Sequence, residues 1–235
     1  YHEITFVGLD GQETVKISAT KLLPGDLRNV ARKGNTYAKA ETYFAELKKL
    51  KPGEIYVSDV IGPYVRSHYY GPVTPESAEK AKIAFEPEKE AYAGRENPQG
   101  QHFKGIVRWA TPVVKGGKVV GYVTLALDHD HIMGFTDHLM PTAARYTPIA
   151  DATNGNYAFM WDYLDRSIAH PRHQSIIGFD PATGNYETPW LEASLYKDWQ
   201  ESGKPLQEYL AGVPIFDHQS RDKKPSVDLI KAGIR

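Results

Sequence analysis

GIVRWATPVVKGGKVVGYVTLALDHD, running from Gly105 to Asp130, decides the fold. It reads as two β-strands rich in Val, Thr, Tyr and Trp, joined at Lys115-Gly116-Gly117-Lys118. A Gly-Gly pair supplies the positive φ that a tight hairpin turn needs. Strand side chains alternate, so Tyr122, Thr124, Ala126 and Asp128 share one face and Val123, Leu125 and Leu127 the other. The second set is wholly apolar and reads as core. The first is mixed and reads as a pocket wall, with a face simply meeting solvent as the plain alternative. Arg108 and Trp109 point to opposite faces, so at most one of them lines that pocket directly unless a bulge intervenes.

Working outward, EITFVGLDGQETVKISA (Glu3 to Ala19) reads as another hairpin about Asp10-Gly11. Leu22 to Ala38 is polar and reads as a loop. ETYFAELKKL (Glu41 to Leu50) is a short amphipathic helix with Tyr43, Phe44 and Leu47 on one face, and EIYVSDVIG follows as a strand. Pro75 to Phe85 reads as helical, and a polar insertion follows it. Hairpin, helix, strand and closing hairpin predict an α+β domain on an antiparallel sheet, ending near Met140. Beyond it NYAFMWD, a turn over Tyr163 to Arg166 and SIAHP predict a third hairpin. Long loops and a helical LEASLYKDWQESG come after. The expected division is 1–140 and 141–235, the second module having too few strands to close its own sheet.

The 235 residues suffice for a real core, and 41% hydrophobic with 24% charged residues is ordinary for a globular protein. A formal net charge of −1 gives no general pull toward nucleic acid or anionic lipid. The chain has no cysteine, which excludes disulfides, thiol catalysis and thiolate metal sites. No apolar run approaches the roughly 20 residues that span a bilayer. The chain opens at Tyr1 on a strand-like pattern and closes on Ala232-Gly233-Ile234-Arg235, and both ends read as cut.

YFAELKKLKPGEIYVSDV, a polar gap, and then RWATPVVKGGKVVGYVTLALD resemble the membrane-distal module of double Cache (dCache) sensor domains, and HPRHQSIIGFD resembles the start of the membrane-proximal one. The resemblance implies two PAS-like modules in tandem, each an antiparallel sheet with flanking helices and long loops, stacked on a long N-terminal helix. It implies an extracytoplasmic (periplasmic) input domain of an inner-membrane receptor, a chemotaxis receptor or the histidine kinase of a two-component system, anchored and dimerised through segments outside this chain. Tyr43-Phe44, Tyr56 and Asp128 fall where the amino-acid-binding branch carries its aromatic pair, its strand Tyr and its terminal Asp. The Arg expected before the aromatic pair is absent. A small carboxylate such as acetate is therefore the expected ligand, with Arg66 or Arg108 as counter-charge, since a guanidinium fork pairs bidentately with a carboxylate.

The expected ligand-binding set is Tyr56, Arg66, His68, Tyr69, Arg108, Trp109, Tyr122, Thr124 and Asp128. Arg66 to Tyr70 reads either as a lid over a small anion or as a surface loop with aromatic packing. Asp128 to His138 offers His and carboxylate ligands a transition metal would accept, but consecutive strand residues diverge, and a solvated strand end leading into a helix is the expectation. His170-Pro-Arg-His173 is expected to close a strand with its charges in solvent. No G-x-S-x-G elbow, phosphate-binding Gly loop or dinucleotide fingerprint is present, and no cofactor or catalytic role is expected. The rival classes are a free periplasmic solute-binding protein and a metal-dependent hydrolase using Asp128 to His138.

Overall fold

The computed structural model describes residues 1–67, 74–86, 101–139, 157–163, 166–187, 193–204 and 208–209. The chain forms two compact units. The first comprises Tyr1–Tyr64, Lys104–His131 and Gly178–Glu187; the second comprises Val65–Phe103, Ile132–Ile177 and Thr188–Arg235.

The first unit is an α+β fold on a five-stranded antiparallel sheet. Strands β1 (Glu3–Val7) and β2 (Glu13–Ser18) form the first hairpin. Its connection is longer than the two residues Asp10-Gly11 suggest, because the register breaks at Phe6/Val7. Two single 3-10 turns, Lys33–Asn35 and Tyr37–Lys39, lead into helix α1 (Tyr43–Leu47) and the short strand β3 (Tyr56–Val57). After β4 (Tyr64–Arg66), α2 (Pro75–Ala81) and β5 (Gln101–Phe103), strands β6 (Ile106–Lys115) and β7 (Lys118–Asp128) make the long hairpin. Gly116 and Gly117 turn it with φ of 57° and 75°. The strand order is β2-β1-β7-β6-β3.

The inner face of this sheet is covered by the segment between β2 and β3. Tyr43, Phe44 and Leu47 of α1 pack with Val7, Ala110 and Tyr122, and Leu23 and Tyr37 pack with Ile106 and Ala126. The polar stretch Leu22 to Ala38 thus supplies core residues. The sheet's two faces are also the reverse of expectation. Tyr122, Thr124 and Ala126 are buried, whereas Val123 is exposed and Leu125 and Leu127 are only half-buried. Across the neighbouring strands the same outer face leaves Ile17 67%, Val15 56%, Val57 51% and Trp109 42% exposed. An apolar face this broad is unusual on a soluble surface. Binary patterning fails here because the residues turned inward are charged and paired with one another.

In the second unit, Thr74 and Ser77 cap α2 reciprocally, and Pro75 opens it. Helix α3 (Asp130–Asp137) follows β7 directly and carries the chain into this unit. Strands β8 (Met160–Trp161) and β9 (Ser167–Ala169) form the third expected hairpin, and α4 (Ala193–Ser202) matches the helical LEASLYKDWQESG. His170 and His173 are buried rather than solvated. Phe103 N–H donates to His173 Nδ1 at 2.9 Å, which leaves Nε2–H to face Asp137 Oδ2 at 3.2 Å. Among the described residues no helix is long and apolar enough to cross a membrane.

Candidate functional site

At the centre of the first unit's inner face stands Arg108, only 2% exposed. Strand alternation on β6 puts it beside Ala126 of β7, directly under the loop that precedes α1. Its Nε donates to Glu41 Oε1 at 2.5 Å and its Nη2 to Glu41 Oε2 at 3.1 Å. Nη1 donates to Glu3 Oε1 at 3.0 Å and to Thr124 Oγ1 at 3.1 Å. The guanidinium carbon lies 4.6 Å from the centroid of the Tyr43 ring. Burial by itself would weaken the guanidinium's hold on its proton. Glu41, Tyr43 and Glu3 outweigh that, and its pKa stands well above the ordinary value.

The network extends along β1 and β2. Lys16 Nζ lies 2.6 Å from Glu13 Oε2 and 3.7 Å from Glu3 Oε2, and it also donates to the backbone carbonyls of Pro24 and Asp26. Three buried carboxylates, Glu3, Glu13 and Glu41, therefore share two buried cations, Arg108 and Lys16. Between them on β1, Thr5 is buried and its Oγ1 has no hydrogen-bond partner among the described residues. Its cross-strand neighbours are Lys16 and Thr124.

The structure gathers part of the expected set on this face. Tyr122 packs edge-to-face on Phe44 with ring centroids 6.3 Å apart. Tyr56 is half-buried against the same cluster, and burial pushes its phenol up to about 12. Thr124 holds Arg108. Trp109 sits on the opposite, open face, as alternation requires. Arg66 is exposed on β4. Asp128 lies at the strand end between His2 Nε2 at 3.3 Å and Lys104 Nζ at 3.5 Å, and Lys104 also pairs with Asp130. His68 and Tyr69 lie outside the described residues.

Arg108 arrives already paired, four of its N–H groups being directed at Glu41, Glu3 and Thr124, so an incoming acid meets no open fork. Glu3, Glu13, Lys16 and Glu41 are absent from the expected set. Glu3 and Thr5 do alternate with Ile4 and Phe6, but a charge in that phase reads as solvent-facing until the fold supplies a partner. The Asp128–His138 segment disperses: Asp128 and Asp130 turn to Lys104 and Asp137 to His173. Among the described residues no three His, Asp or Glu side chains converge as metal ligands.

No protein-family model matches the chain, and no curated protein matches it. Solved structures are similar to part of it. Two of them are the extracellular domain of vpHK1S-Z8, described as a histidine kinase, and a domain of a sensory box/GGDEF family protein from Vibrio parahaemolyticus. Each is 15% identical and superposes with a TM-score of 0.33 over 60% of this chain. The chain spans 38% and 40% of those two structures, about two-fifths of their length.

Proposed function

We propose that this chain is an extracytoplasmic ligand-sensing domain of a transmembrane signalling receptor of the dCache kind. Its modules, 1–140 and 141–235, would stand outside the inner membrane of a histidine kinase or chemoreceptor that dimerises through segments beyond this chain. The first module recognises a small carboxylate of the acetate class, and the domain binds rather than transforms it. The observation that carries this reading is Arg108, a buried guanidinium stacked on Tyr43 whose fork holds the chain's own Glu41 carboxylate through two parallel N–H···O bonds. That is the geometry by which an arginine recognises a small acid, and exclusion of water strengthens it. Thr5, a buried hydroxyl opposite Thr124 on the neighbouring strand with no hydrogen-bond partner among the described residues, offers a further contact for a guest. The apolar outer face is a surface of the kind that the family's long helix would need.

A thermal-shift screen of acetate, propionate, pyruvate, amino acids and simple amines tests the reading, since a ligand that binds the folded state raises the melting temperature by mass action. Short carboxylates should raise it for the wild-type chain and for Arg66→Ala, but not for Arg108→Lys. A shift that survives Arg108→Lys and vanishes in Arg66→Ala would move the counter-charge to Arg66. No shift with any compound in the panel would overturn the sensing role.

A further inference from the structure

We propose that Glu41 is an internal stand-in for the ligand: its carboxylate fills the Arg108 fork, and a small monocarboxylate binds by displacing it. This rests on the sensing role above and specifies how that same site works.

Charge counting requires exchange rather than addition. Glu3, Glu13 and Glu41 face Arg108 and Lys16, so the buried cluster already holds one formal negative charge in excess. A second anion added to it would meet three carboxylates at close range, away from water. Replacing Glu41 leaves the count unchanged. The same fork, backed by the same Tyr43 ring, then serves the incoming acid.

The loop that carries Glu41 is suited to letting go. Ala38 and Lys39, immediately upstream, have φ of 47° and 50°, the left-handed region, and neither is glycine. A residue with a β-carbon is sterically strained in that region. That strain is held in place by contacts that depend on the docked loop. Tyr37 N–H donates to Glu41 Oε2 at 3.1 Å, and Thr36 Oγ1 accepts from Glu41 N–H at 3.1 Å. Undocking Glu41 releases strain as it breaks bonds, which narrows the gap between the two arrangements and lets a modest ligand shift it.

The displacement has a path onward. The segment Gly178–Glu187 belongs to the same unit and lies against the strained turn, with Lys39 Nζ donating to Ala182 O at 2.7 Å and Lys33 Nζ to Gly184 O at 3.2 Å. Gly184, at φ 74°, presses so closely on the Lys39 carbonyl that no side chain fits there. At both its ends this strap continues directly into the chain of the second unit. Release of Glu41 therefore loosens the strap at its anchoring lysine.

Propionate titrations of the 235-residue chain by calorimetry, paired with amide hydrogen exchange, test the proposal. Glu41→Gln keeps the shape but puts N–H donors against Arg108, and should bind propionate at least tenfold more tightly than wild type. Ala38→Gly relieves the strained turn, stabilises the docked loop, and should bind roughly two- to fivefold more weakly. In wild type, propionate should accelerate exchange at the Tyr37 amide, which loses its carboxylate acceptor, where simple binding would slow it. Equal affinity in wild type and Glu41→Gln overturns the displacement and leaves the sensing role standing. Binding to Glu41→Gln with none to wild type also overturns it, since the variant has then merely created a hole. An amine that binds wild type while propionate does not overturns the proposal in favour of a cation meeting the acidic excess.

Discussion

Arg108 and Glu41, 67 residues apart in the chain, meet fork to fork beneath the inner face of the sheet, at 2.5 and 3.1 Å. The pair ties strand β6 to the loop before α1, and Glu3 ties β1 to the same guanidinium. A buried pair contributes little over an apolar replacement, but breaking it strands a charge. Arg108→Met should therefore lower stability by about 3–5 kcal/mol in urea unfolding. Adding Glu41→Leu to that variant should restore a substantial part of the loss, through the coupling expected of contacting residues. Additive losses in the double-mutant cycle would show that the two side chains act independently.

His129, at the start of the turn from β7 into α3, is buried and held neutral. Burial, the largest effect, lowers its pKa from the ordinary 6.5 to about 4; Asp128 opposes this and Lys104 adds to it. With the folded value depressed, the unfolded chain takes up the proton first as pH falls. The contribution is complete above about pH 6.5 and drains away between there and about pH 4, amounting to about 3 kcal/mol. His129→Leu should flatten the difference in unfolding free energy across that window. An unchanged slope would mean that His129 is not the group that titrates.

The outer face of the sheet offers a contrast between stability and association. Val15 and Ile17 project into solvent from β2. Val15→Thr and Ile17→Thr together should leave the melting temperature of the isolated chain nearly unchanged, within about 0.5 kcal/mol per site. Light scattering should show less self-association, because two exposed apolar side chains have been removed from that face. A marked loss of stability would mean that these side chains are covered in solution.

Gly184 has no room for a β-carbon, since one would collide with the carbonyl of Lys39, and its φ of 74° disfavours any other residue. Gly184→Ala should cost about 1–3 kcal/mol and expose the strap to proteolysis near Asp180 before the rest of the unit opens. Simultaneous loss of strap and sheet would place the segment in the cooperative core instead.

Elements with strong local signals were legible. The Gly116-Gly117 turn, the two long strands it joins, the α1 face with Tyr43, Phe44 and Leu47, and the β8–β9 hairpin all rest on interactions between near neighbours. Boundaries were less so. EIYVSDVIG forms a strand on β6 only at Tyr56 and Val57 and meets it again at a single bridge, Ile61 to Ile106, and Leu22 to Ala38 packs Leu23, Val30 and Tyr37 inward despite its polar average. The candidate site was half visible: Arg108, Thr124, Tyr122 and Tyr56 share the inner face, but their partners Glu3 and Glu41 carry charges that no local rule places indoors.

Sequence alone determined an α+β fold built on hairpins, because turn glycines and β-branched runs act over a few residues. It also determined, by strict alternation, that Arg108 and Trp109 would face opposite ways. Only the tertiary structure decided which face was inside. Burying Arg108 requires Glu41 and Glu3 to arrive from elsewhere in the chain and cancel its charge. Once they do, the polar face closes inward and the apolar one is left open.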